Sequence, residues 1–260
     1  MAEEVFYAGI DVGTSYIKVV IINRKNEIKG YYVERLSSDL QKSINIAFKK
    51  ALDMANISKS LINHITSTGF GRENISFKDG VKTEISCHAK GAFNYFPKKI
   101  TVIDIGGQDT KIIKTDKEGK IIGFKMNRKC AAGTGSFLEE IAFKLNIPLN
   151  KINAIALKSN KDTSLGSYCT VFASTEILTR IKEGEKVEDM IKSAFESVVK
   201  RVIEMDTLEG NIVLTGGVIK YNNLILKILE KRAKVKIYTP PNPQLIGAYG
   251  AALFAKEAKD

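Results

Sequence analysis

Two stretches of the chain carry the same order of apolar and polar positions. Residues 6–22 read Phe-Tyr-Ala-Gly-Ile-Asp-Val-Gly-Thr-Ser-Tyr-Ile-Lys-Val-Val-Ile-Ile, and residues 100–113 read Ile-Thr-Val-Ile-Asp-Ile-Gly-Gly-Gln-Asp-Thr-Lys-Ile-Ile. In both, an apolar strand runs into Asp-x-Gly, passes through small or polar residues, and meets a lysine near the start of a second β-branched strand. The lysine lies seven positions after the aspartate each time, Asp11 to Lys18 and Asp104 to Lys111. A charged turn follows at 23–27 and 116–120, then a third strand at 28–33 and 121–126. Each half is therefore predicted to open with a three-strand meander whose first hairpin closes on a glycine-containing turn.

Helical spacing follows each meander. Residues 39–55 set Leu40, Ile44, Ala47, Phe48, Ala51, Leu52 and Ala55 on one stripe, the period of an amphipathic helix. Residues 84–96, 136–146, 187–205 and 222–233 read the same way, and short strands at 65–68, 212–215 and 234–238 complete an alternating order. The pattern predicts a duplicated α/β protein of two domains joined near 96–99. The first is expected to hold residues 1–97 with 244–260, the last helix folding back onto it, and the second residues 98–243. Pro240-Pro241-Asn242-Pro243 is a rigid turn rather than a hinge, since proline fixes its own φ.

At 260 residues with 44% hydrophobic and 27% charged positions, the chain can bury an ordinary core,. No apolar run has the length of a membrane span, and Met1-Ala-Glu-Glu lacks the basic, then apolar, start of a secretion signal, so a cytoplasmic protein is expected. The formal charge of +11 raises nucleic acid as a partner, but the lysines are scattered without interleaved aromatics. They read as solvated faces, and no nucleic acid is expected. A basic surface also steers docking to an acidic redox partner.

Paired Asp-x-Gly hairpins facing across a cleft can embrace a polyphosphate from both sides. Gly13, Gly106 and Gly107 let backbone N–H groups approach phosphate oxygens where a β-carbon would collide. Thr14 and Ser15 add hydroxyl donors; Asp11 and Asp104 supply oxygens for Mg2+, mostly through its waters,. Lys18 can neutralise phosphate charge, and Gln108 can orient an attacking water. One such hairpin alone is simply a turn, because Asp and Gly favour turns anyway; two copies with matched lysines argue for more. A third element, Ile212-Val-Leu-Thr-Gly-Gly-Val, is a strand ending in Gly216-Gly217 that lets backbone lie flat beside an adenosine, and Gln244 is placed with it in the cofactor site. No Gly-x-x-x-x-Gly-Lys-Ser/Thr is present. Together these motifs resemble the actin-like (ribonuclease H-like) ATPase superfamily, which implies its duplicated two-domain fold and an ATP/ADP site.

The three cysteines, Cys87, Cys130 and Cys169, are an odd number for a disulfide framework,. Cys130 lies shortly before Ser136 and Glu139, a capping-box spacing that predicts a helix from Ser136, and Cys169 lies just before another helical run,. A thiolate near a helix N-terminus is stabilised by free N–H groups. A cubane cluster needs four thiolates, of which a two-fold dimer of this chain supplies two from each member. Spacing alone leaves ligation and burial both open, since cysteines 39 positions apart form no recognised metal motif,.

The strings Lys-Cys-Ala-Ala-Gly-Thr-Gly-x-Phe-Leu at 129–138 and Cys-Thr-Val-Phe-Ala at 169–173 resemble, with Ile-Asp-Ile-Gly-Gly-Gln-Asp and Leu-Thr-Gly-Gly-Val, the activator component of 2-hydroxyacyl-CoA dehydratases. That family also includes ATPase subunits of benzoyl-CoA reductase. The resemblance implies one 4Fe-4S cluster per homodimer on Cys130 and Cys169, with Cys87 and His88 outside it. It implies ATP-driven transfer of one low-potential electron to a dehydratase, with ferredoxin or flavodoxin as donor, in an anaerobic setting. Tyr168 departs from the family's pattern, and an effect on cluster exposure is expected there. The rivals are a sugar or acyl kinase of the same superfamily, for which no catalytic carboxylate stands out, an activator of another low-potential reductase, and a filament-forming homologue, for which the insertions are lacking.

Overall fold

The computed structural model describes residues 4–128, 130–166 and 169–259. The chain divides into two compact units: Met1–Lys98, Asp116–Ile121 and Leu245–Asp260 in the first, Lys99–Thr115 and Ile122–Gln244 in the second.

The first sheet has the order β3-β2-β1-β4-β5, from β1 (Phe6–Val12), β2 (Tyr16–Asn23), β3 (Ile28–Arg35), β4 (Ile62–Thr68) and β5 (Gly80–Val81). β1 pairs antiparallel with β2 and parallel with β4. Side chains alternate along β1: Phe6, Ala8 and Ile10 pack against Ile44, Ala47, Phe48 and Ala51 of α1 (Leu40–Ala55). Tyr7 packs instead with Ala248, Tyr249 and Ala252 of the last helix. Both faces are covered, which is why β1 reads as a continuous apolar run. Gly9 faces that last helix, where a β-carbon would collide with the carbonyl oxygen of Ala248. Helix α2 (Glu84–Tyr95), capped by Thr83, also packs on the last helix.

The second sheet has the order β10-β9-β6-β7-β8, from β6 (Ile100–Ile105), β7 (Thr110–Thr115), β8 (Ile121–Asn127), β9 (Asn211–Thr215) and β10 (Ile237–Tyr238). Its helices are α3 (Gly135–Lys144), α4 (Ile152–Ala156), α5 (Thr170–Lys182), α6 (Val187–Met205), α7 (Gly217–Tyr221) and α8 (Asn223–Ala233). Ile103, Ile105 and Ile112 of the sheet share one core with Phe137, Ile177, Phe195 and Ile225. The last helix, α9 (Ile246–Glu257), belongs to the first unit.

Three expectations shift in detail. The strand expected at 234–238 is confined to β10, because Lys234 takes a left-handed φ of 55° that caps α8. The helix expected over 222–233 starts at Asn223, and a separate short helix not expected, α7, precedes it and ends where the Asn222 side chain donates to Val218 O at 2.9 Å. The capping box at Ser136 does not form: Thr134 is the N-cap of α3, and the Ser136 hydroxyl donates to Gly107 O instead, at 2.7 Å.

Candidate functional site

The seven-residue spacing of Asp and Lys is a strand register. In the β1–β2 ladder Asp11 lies opposite Lys18, and in the β6–β7 ladder Asp104 lies opposite Lys111. The turns match as well, Gly13 N donating to Tyr16 O at 3.0 Å and Gly106 N to Asp109 O at 2.9 Å. The Lys18 ammonium bonds the Asp11 carboxylate at 3.0 Å. Lys111, 3% exposed, reaches Asp109 at 2.7 Å and Asp104 at 3.4 Å. A lysine so deeply placed requires carboxylate partners, since an unpaired buried charge is costly. Thr14 and Gln108 are exposed, and Ser15 is half-buried at the turn.

In the second unit, Asp104 sits opposite Thr215 in the parallel β6–β9 ladder, and the Thr215 hydroxyl donates to Asp104 Oδ1 at 3.1 Å. Gly216 follows with φ 106° and donates to Pro243 O at 2.9 Å; a β-carbon there would collide with Ile105 O. Gln244 lies beside Gly217 and accepts from the Tyr221 hydroxyl at 3.5 Å. Thus Asp104, Gly216, Gly217 and Gln244 converge at the C-terminal ends of two parallel strands, where open α/β sheets present ligand sites.

The second hairpin turn is also joined to the segment after Cys130. Gly135 N donates to Gly106 O at 2.9 Å, Ser136 N and Oγ both reach Gly107 O at 2.7 Å, and Thr110 Oγ1 donates to Gly133 O at 2.7 Å. Asn127 Nδ2 then holds Cys130 O and Ala132 O, each at 3.0 Å. The turn, the first turn of α3 and the Cys130 loop form one hydrogen-bonded piece.

The thiols differ in environment. Cys87 is fully buried, and burial pushes it up to about 12. Cys130 is exposed and Cys169 half-buried. Ala132 N donates to Cys130 Sγ at 3.4 Å, and Cys169 is the N-cap of α5. Residues 164 and 166 are held to α5: Glu176 accepts from Gly166 N at 2.8 Å, while Arg180 bonds Glu176 at 2.6 Å and Ser164 O at 3.2 Å. Among the described residues no group of three or more His, Cys, Asp and Glu side chains is assembled to hold a metal ion. Cys130 and Cys169 are the two accessible thiols, one accepting a backbone N–H on its sulfur and one at a helix N-terminus, surroundings that suit thiolate ligation of a metal,. Tyr168 lies outside the described residues.

Sequence reasoning missed Asp109, Thr110 and Thr215. Their signal was the register itself, since Asp109 occupies in the second hairpin the place of Tyr16 in the first.

A family model described as the BadF/BadG/BcrA/BcrD ATPase family matches residues 8–255. The activator of lactoyl-CoA dehydratase from Anaerotignum propionicum is 38% identical over 256 residues, 96% of this chain and 97% of that protein. Component A of (R)-2-hydroxyglutaryl-CoA dehydratase from Acidaminococcus fermentans, a crystal structure, matches with a TM-score of 0.93 at 34% identity, covering 98% of each chain. The activator of 2-hydroxyisocaproyl-CoA dehydratase from Clostridium difficile, solved with bound ADPNP, matches with a TM-score of 0.91 at 33% identity, covering 98% of this chain and 95% of that one. A ROK family glucokinase from Streptomyces griseus covers 97% of this chain and 99% of its own at 12% identity and a TM-score of 0.59, a likeness of fold alone. The frame is the actin-like one that the paired hairpins implied.

Proposed function

The chain belongs to the BadF/BadG/BcrA/BcrD ATPase family, and on that premise we propose that it hydrolyses ATP to drive one low-potential electron onto a 2-hydroxyacyl-CoA dehydratase. One observation carries the reading: the turn 106–110 is hydrogen-bonded to residues 133–136, directly behind Cys130. A loop suited to phosphate is thereby tied to a loop suited to a redox centre.

In this reading Asp11 and Asp104 hold Mg2+ through its waters, and Gly13, Thr14, Ser15, Gly106 and Gly107 offer donors to the phosphates. Lys18 divides its charge between Asp11, its partner at 3.0 Å, and the phosphates, while Gln108 orients the attacking water. Gly216, Gly217 and Gln244 lie along the adenosine. Cys130 and Cys169 from two copies of the chain hold one 4Fe-4S cluster, which when bound supplies the low-potential electron. When the turn at 106–109 closes on the γ-phosphate, the carbonyls of Gly106 and Gly107 move, and Gly135 and Ser136 follow because they are bonded to them. Cys130 thus answers to nucleotide as a shift between two populated states. The donor would be ferredoxin or flavodoxin. The dehydratases named for the relatives support that class of acceptor.

The test is purification without oxygen. Protein of this kind is brown and carries about four irons per dimer; Cys130→Ser and Cys169→Ser lose them, and Cys87→Ser keeps them. A colourless wild-type protein, or iron retained in either of the first two variants, defeats the assignment. A kinase of the same fold predicts no iron in any of them.

A further inference from the structure

Strand β4 ends in Thr68 and leads into Gly69-Phe70-Gly71-Arg72. This loop repeats, in the first unit, the strand end that Gly216 forms in the second. Thr68 lies opposite Asp11 in the parallel β1–β4 ladder, as Thr215 lies opposite Asp104. Each threonine is followed by a glycine of positive φ, 93° at Gly69 and 106° at Gly216. A β-carbon on Gly69 would collide with Val12 O and come within 2.5 Å of Asp11 Oδ1, and one on Gly216 would collide with Ile105 O. Val12 and Ile105 are the residues directly after the two aspartates. The duplication therefore extends past the hairpins to the neighbouring strand ends.

The first-unit copy is held rigidly and carries a cation. Gly71 N donates to Val12 O at 2.9 Å, Asn74 N to Gly71 O at 3.0 Å, and the fully buried Ser67 hydroxyl to Arg72 O at 2.9 Å. The Arg72 side chain folds back, Nη1 donating to Gly69 O at 3.2 Å, so its guanidinium is anchored to the glycine on which a β-carbon would come within 2.5 Å of Asp11 Oδ1. Glu73 lies 3.8 Å from Arg72 Nε, beyond hydrogen-bond range, and is itself 70% exposed. A guanidinium never loses its charge and matches phosphate oxygens with two parallel N–H donors. Lys18, by contrast, is already paired with Asp11 at 3.0 Å.

We propose that Arg72 contacts the terminal phosphate of ATP and adds positive charge to that of Lys18, which is shared with Asp11. The inference rests on reading that hairpin as a phosphate site. Three variants of the full-length protein test it, with ATP hydrolysis and the affinities for ADPNP and ADP measured in each. Arg72→Met keeps the apolar stem and should lower kcat/KM for hydrolysis about 10- to 100-fold, the effect of removing one preorganised charged donor. It should weaken ADPNP by at least about tenfold while ADP changes little. Arg72→Lys should recover part of both losses, because a point charge remains without the fork. Asp11→Asn is the control on the premise and should lose hydrolysis whatever Arg72 does. Hydrolysis and ADPNP affinity in Arg72→Met within twofold of wild type overturn the proposal, as do equal losses for ADP and ADPNP. Full hydrolysis in Asp11→Asn instead removes the phosphate-site reading beneath it.

Discussion

Loss of water on burial pushes the Cys87 thiol up to about 12 from an ordinary value of 9.0, whereas Cys130 stands exposed in its loop. At pH 8 a thiol titrating near 12 is ionised in only about one molecule in ten thousand, and only the thiolate is alkylated. Cluster-free native protein treated with iodoacetamide at pH 8 should therefore label Cys130 first, Cys169 next, and Cys87 only after unfolding, as read by peptide mapping. Native labelling of Cys87 as fast as Cys130 would show that the α2 packing is open. The same shift has a sign in stability. From about pH 9 upward the unfolded chain releases this proton before the folded one, so stability falls as pH rises toward 12; Cys87→Ala should flatten that decline in alkaline urea melts. At this scale the sequence was legible where residue type and spacing are fixed together. Asp11/Lys18 and Asp104/Lys111 could be read because seven positions is the distance between opposite residues across a four-residue turn. Thr68 and Gly69 could not, because their likeness to Thr215 and Gly216 rests on a ladder register and a φ angle, and the flanking letters differ.

Elements were legible through period and caps, and misread where a cap had a tertiary competitor. Ser136 and Glu139 have capping-box spacing, yet the Ser136 hydroxyl and amide both turn to Gly107 O at 2.7 Å. Once a carbonyl from another element is that near, the local alternative loses. The start of α3 is thus defined by the hairpin of β6 and β7 more than by its own letters. A double variant, Thr110→Val with Ser136→Ala, removes two side-chain bonds of this junction and should destabilise the protein by about 2 kcal/mol, at roughly 1 kcal/mol each. It should still hydrolyse ATP, but the rate at which chelators remove iron should differ less between ADPNP and ADP than in wild type, because the two backbone bonds of Gly135 and Ser136 remain. In wild type a clear difference is expected. A difference undiminished in the double variant would place the coupling elsewhere.

For the molecule as a whole, the duplicated pattern foretold two α/β frames, and no helix among the described residues is long and apolar enough to cross a membrane. The frames are assembled differently from the chain. The second is drawn from Lys99–Thr115 and Ile122–Gln244, while the first needs Leu245–Asp260 as well as the N-terminal residues. Leu245, Ala248, Tyr249, Ala252, Leu253 and Ala255 are all buried in the first unit's core with Tyr7, Val20 and Ile22. At about 1.5–3 kcal/mol for each large apolar side chain, their loss approaches the whole stability of a domain, about 5–15 kcal/mol. A chain ending at Gln244 should keep slow hydrogen exchange in β6, β7 and β9 and lose it in β1 and β2. Protection persisting in β1 would mean that α9 is dispensable. The flat contact that Gly9 makes possible under α9 also sets a timetable for synthesis. From Val12 to Glu257 the ribosome adds 245 residues, which at about 5–20 residues per second takes roughly 12–50 s. For that interval one apolar face of β1 is made but has no helix to lie against, so the nascent chain presents a sticky sheet to chaperones long before its first half can close.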